Sequence, residues 1–139
     1  MRAVLAALCF CLLATPTCAE NLPPTRSGVA SCYGREHHQL RTATGADYDP
    51  WGLTAAMLRF AGRPIAFGTR VKVTNERNGR AVTVIINDRG PYVRGRAIDL
   101  SLGACRAIGN SGLARVSLQI VGEVHAARSL LRVHHARRR

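Results

Sequence analysis

Proton transfer in proteins is done mostly by histidines and carboxyl groups, and acids are scarce here: eight Asp+Glu against 20 Lys+Arg. Glu20 and Glu123 lie at the edges of the patterned region, and Glu76 precedes the turn signal Asn78-Gly79, so these three read as surface charges. Asp99 follows a short apolar stretch and precedes Ser101, where a structural hydrogen bond is the expected use of a short acid. Glu36, Asp47, Asp49 and Asp88 remain. Asp88 leads. The apolar run AVTVII gives way there to a polar loop closed by Gly90-Pro91, a position that suits a partly desolvated working carboxyl. Its competing use is a local Asx turn onto Arg89 and Gly90. His125, His134 and His135 lack neighbouring acids to orient them, so no metal site is expected.

The elements that must position these groups are short strands. Residues 29–33 are short and mixed, residues 53–57 are apolar, and residues 70–74 (RVKVT) alternate as a half-buried strand does. With the Asn78-Gly79 turn and the β-branched run at 81–86, residues 70–86 read as a β-hairpin. Residues 87–91 read as a loop and residues 97–100 as another strand. Ser101 is placed to cap a short helix over residues 104–108 that Gly109 ends, and residues 114–121 alternate again. About six short strands with one helix make a small closed or nearly closed β-barrel the expected fold.

The first residues read as an export signal. Arg2 is followed by an apolar run over residues 3–14, then by Thr17-Cys18-Ala19, the small residues of a cleavage site after Ala19. That run is shorter than the roughly 20 residues of a membrane span. Lipid attachment at Cys18 is not expected, because Thr15 stands where an apolar residue is needed. Residues 20–27 then read as a linker, 28–123 as one domain and 124–139 as a basic flexible tail. Cys9, Cys11 and Cys18 leave with the leader. Cys32 and Cys105 remain, an even pair expected to form a disulfide in an oxidising compartment, with two separate buried thiols as the alternative. The formal charge of +12 favours polyanionic partners. For an exported monomer these are wall polymers or an anionic membrane surface, and nucleic acid is not expected.

Several blocks then carry a resemblance: Gly28-Val29-Ala30-Ser31-Cys32-Tyr33-Gly34, Thr42-Ala43-Thr44-Gly45, Leu53-Thr54-Ala55-Ala56, Gly68-Thr69-Arg70-Val71, Asn87-Asp88-Arg89-Gly90-Pro91 and Ile98-Asp99-Leu100-Ser101. In order and spacing the chain resembles the rare lipoprotein A (RlpA) family of septal-ring lytic transglycosylases over residues 28–121. The resemblance implies a mainly β fold, a six-stranded double-psi β-barrel with one or two short helices. It implies a periplasmic enzyme of wall remodelling or septation, a carbon–oxygen lyase acting on peptidoglycan glycan strands. Such an enzyme cleaves the bond between N-acetylmuramic acid and N-acetylglucosamine and leaves a 1,6-anhydro end. The chemistry needs a protonated carboxyl that gives its proton to the leaving oxygen and then accepts one from the attacking 6-hydroxyl. No metal, nucleotide or other cofactor is called for.

Two positions depart from the family pattern. Ala46 stands where the family has glutamate and Met57 where it has histidine, and an insertion follows Met57. Asp88 is therefore the expected catalytic acid, with Asp47 as a replacement if its loop shifts by one residue and Glu36 as a weaker one. Tyr33, Trp51 and Tyr92 are candidates for stacking on sugar rings, and Arg89 for pairing with the muramic carboxylate. The alternative reading is a non-catalytic wall-binding barrel that has lost the glutamate and the histidine.

Overall fold

The computed structural model describes residues 24–34 and 41–123. The expected signal peptide, the first part of the expected linker, Glu36, and the expected tail at 124–139 lie outside the described residues. The elements are β1 (Thr25–Cys32), β2 (Thr54–Ala56), β3 (Arg59–Phe60), β4 (Arg63–Pro64), β5 (Thr69–Asn75), β6 (Ala81–Asp88), β7 (Ile98–Leu100), α1 (Leu102–Ala107) and β8 (Ala114–Glu123). Six of the strands close into a barrel, as expected, and they do so in the order β1-β7-β2-β6-β5-β8. The pairings β1–β7 and β2–β6 are parallel and the other four are antiparallel.

Alternation puts the apolar side chains inside. In β5, Val71 and Val73 are buried while Arg70 and Lys72, which alternate with them, are exposed, the two-residue period read from the sequence. Val84, Ile86, Ile98, Leu100 and Val116 fill the same interior, and closure leaves the six-stranded barrel without an open edge. Helix α1 covers part of this core with Ala104 and Cys105, and Ile108 follows it inward. Ser101 caps it as expected, its hydroxyl accepting from the Ala104 N–H at 3.2 Å. The Cys32–Cys105 disulfide is formed, joining β1 to α1 across 73 residues of sequence.

Three boundaries differ from the sequence reading. Strand β1 begins inside the expected linker, because Thr25, Arg26 and Ser27 pair with Gln119, Leu118 and Ser117 of β8. Strand β6 runs on through Asn87 and Asp88, which were expected in a loop. The inserted segment forms a small hairpin, β3–β4, turning at Ala61 and Gly62 with φ of 52° and 79° and anchored by buried Phe60 and Ile65.

Candidate active site

Three strands bring two carboxyl groups to one face of the barrel. Ala55 of β2 is aligned with Ile86 of β6 and Leu100 of β7, and all three side chains point into the core. The next position, Ala56, is aligned with Asp88 on one side and Asp99 on the other. On the far side of β7, Ser31 of β1 is aligned with Asp99. Ser31, Asp99, Ala56 and Asp88 therefore form one row across four strands, on the outer face of the sheet, with only a methyl group between the acids.

Asp88 reaches that row through an irregularity. Alternation from buried Ile86 would send Asn87 outward and Asp88 into the apolar interior. The register shift between Ala55 and Ala56 makes Asn87 a bulge and sets Asp88 opposite Ala56. A bulge of this kind re-aims a side chain, and here it keeps a carboxylate out of the core.

Each acid is held by one oxygen. Asp88 Oδ1 accepts from the Ala43 N–H at 2.9 Å and the Arg89 N–H at 2.8 Å. Asp99 Oδ1 accepts from the Ser31 hydroxyl. Among the described residues, no hydrogen bond reaches the Oδ2 of either acid, and the ion pairs involve neither. Gly90 keeps the space open. Its φ is +144°, and a Cβ there would stand 3.5 Å from Asp99 Oδ2 and 3.6 Å from the Ala56 methyl. The Asx-type contact weighed for Asp88 is present too, in the Arg89 N–H bond, and it fixes one oxygen without using the other.

Tyr33 completes the cluster. Its ring tilts against Tyr48 at 5.0 Å between centroids, and the Tyr48 hydroxyl donates to the Tyr33 carbonyl at 2.9 Å. The Tyr33 hydroxyl itself is buried, with no hydrogen-bond partner among the described residues. Burial first, then the charges of Asp88, Tyr48 and Asp99, push this phenol well above the ordinary tyrosine value of 10.0, so it keeps its proton. Tyr33 is thus a half-buried, neutral phenol near two carboxylates.

The remaining candidates are dispersed. Asp47 is not brought to Asp88: its side chain is 93% exposed and faces Arg41 at 3.7 Å. The one-residue loop shift that would carry it inward is opposed by two bonds, since the Thr42 N–H and hydroxyl both donate to the Ala46 carbonyl, at 2.8 and 3.1 Å. Arg89 is engaged, its guanidinium 3.6 Å from the Phe67 ring centroid and donating to the Met57 carbonyl at 3.3 Å. Met57 is 1% exposed and belongs to the core. Tyr92 is 80% exposed and stands next to the Gly90-Pro91 turn, close enough to Gly90 to border the acids. Trp51 is 62% exposed and lines a separate cleft of about 400 Å³ with Cys32, Cys105 and Arg106. The sequence reading missed Asp99 as a neighbour of Asp88. The available signal was that both acids stand at or just beyond an apolar strand stretch, Asp99 directly after Ile98 and Asp88 two residues after Ile86.

Comparison with known proteins agrees with this architecture. The profile of the family described as lytic transglycolase matches residues 25–120. A probable endolytic peptidoglycan transglycosylase RlpA of Synechocystis is 51% identical over 105 residues, covering 74% of this chain and 31% of that protein. The endolytic peptidoglycan transglycosylase RlpA of Campylobacter jejuni is 44% identical over 100 residues, covering 70% of this chain and 34% of its own. The chain thus spans about a third of the length of these relatives. Among solved structures, a Streptomyces papain inhibitor matches with a TM-score of 0.54 at 20% identity, over 73% of this chain and 97% of that one. A Clavibacter expansin matches with a TM-score of 0.54 at 24% identity, over 74% and 53%. These two are double-psi β-barrels and establish the fold alone. The chain belongs to the RlpA-like lytic transglycolase family and folds as its double-psi β-barrel.

Proposed function

We propose that this protein is a peptidoglycan lytic transglycosylase, exported through residues 1–19 to the periplasm or beyond, with Asp88 as its acid. The observation that carries the reading is the bulge that turns Asp88 onto the outer face, with one oxygen fixed by two backbone N–H groups and the other unengaged among the described residues. The RlpA relatives, named for endolytic peptidoglycan transglycosylase activity, supply the substrate class. Protonated Asp88 gives its proton to the glycosidic oxygen as the bond to C1 of the muramic residue breaks. The muramic 6-hydroxyl then bonds to C1 and passes its proton to a carboxylate of the site, closing the 1,6-anhydro ring without water. The charge of +12 supports affinity for the anionic wall, which weakens as salt screens it. Tyr92 is the aromatic best placed to meet a sugar at this site.

Ala46 and buried Met57 favour a second reading, a wall-binding barrel without catalysis, because neither side chain transfers protons. Incubation of residues 20–139 with peptide-free glycan strands, followed by mass spectrometry for anhydro-muramic ends, separates the two. The enzyme yields such ends and its Asp88→Asn variant does not. Binding without product from either protein selects the second reading.

A further inference from the structure

The family chemistry asks one carboxyl to serve first as acid and then as base. This barrel holds a second carboxyl in the same cross-strand row. We propose that Asp99 is a second catalytic carboxyl of this site, accepting the proton of the 6-hydroxyl while Asp88 supplies the proton of the leaving oxygen. The proposal rests on the transglycosylase reading of the site.

Four observations support it. Asp88 and Asp99 are aligned with the same residue, Ala56, from the strands on either side of β2. Two strand spacings put their Cα atoms about 9.5 Å apart. Asp99 Oδ2 lies on the Gly90 side of its strand, toward the turn that follows Asp88, while the Ser31 hydroxyl holds Oδ1. Both acids act electrostatically on the Tyr33 phenol, so all three groups share one environment. In a chain with 20 Lys+Arg, neither acid has an ion-pair partner among the described residues. A merely structural Asp99 needs only the oxygen that Ser31 binds.

The stereochemistry fits a pair on one face. The O6 of a hexopyranose reaches C1 only from the side of the ring that carries C6, and a β-linked leaving oxygen departs from that same side. Asp88 in its acid form gives its proton to the glycosidic oxygen, which takes the electron pair of the broken C1–O bond. O6 forms its bond to C1 with a lone pair, and its proton passes to the Asp99 carboxylate. The cycle ends with Asp88 ionised and Asp99 protonated. Exchange of one proton with water at each acid restores the starting state.

The test is Asp99→Asn, an isostere whose amide oxygen still accepts from Ser31. The expected result is a fall in kcat on the order of 100-fold, with KM within about twofold and an unchanged melting temperature. Asp99→Glu is expected to recover part of the rate. An Asp99→Asn protein that keeps the wild-type rate overturns the proposal and leaves the transglycosylase reading standing. A wild-type protein that makes no anhydro ends overturns the underlying reading, and the shared catalysis falls with it.

Discussion

The buried Tyr33 hydroxyl has no partner among the described residues, and a buried unsatisfied group costs about 1–3 kcal/mol. Tyr33→Phe is therefore expected to leave stability at pH 7 unchanged or to raise it, while product formation falls. Denaturant unfolding and the anhydro-end assay on the same preparation check both. The pH dependence has a defined sign. The folded-state pKa of this phenol lies above its ordinary 10.0, so above pH 10 the unfolded chain releases the proton first. The stability that the neutral phenol supports is fully present below pH 10 and is lost as pH rises through the folded value. Tyr33→Phe is expected to flatten that alkaline loss. The place of Asp88 at the end of an apolar strand was legible in the sequence because its signal is local, a strand running into a Gly-Pro turn. Asp99 as its neighbour was not, because that juxtaposition depends on the registers of β6, β2 and β7 together. The actual partner of Asp99 is Ser31, 68 residues away, where local reasoning expected a bond near the Ser101 cap.

At the scale of elements, the β5–β6 hairpin was readable from alternation and from Asn78-Gly79. The job of its turn was not. Buried Asn75 donates from Nδ2 to the Ile108 carbonyl at 3.0 Å, and Asn78 donates to the same carbonyl at 3.1 Å. The turn thereby satisfies the C-terminal end of α1. Asn75→Ala is expected to destabilise the fold by about 1–3 kcal/mol, read in denaturant unfolding. Strands β3 and β4 escaped notice because each is two residues long, too short for any period to show. The bulge at Asn87 was equally invisible, since it exists only in the register between β6 and β2. Ala56→Leu tests that register directly. A larger side chain between the two acids is expected to suppress product formation by tenfold or more while circular dichroism stays that of the barrel, an estimate on the order of the loss seen for misplaced reacting groups.

Across the whole molecule, the Cys32–Cys105 bridge closes a loop of 73 residues between the first barrel strand and the helix. Replacing both cysteines with alanine is expected to lower stability by about 2–4 kcal/mol, measured by unfolding under non-reducing conditions. The Cys32–Cys105 bridge was legible because an even count of retained cysteines pointed to pairing. Closure of the barrel followed from strand number and the family blocks, while its strand order needed the structure. The central claim remains that a carboxyl turned out of an apolar strand breaks glycan by proton transfer. Mass spectrometry of peptide-free strands treated with the protein and with Asp88→Asn tests it most directly. Anhydro-muramic ends from the first and none from the second are expected, whereas equal yields from both contradict the claim.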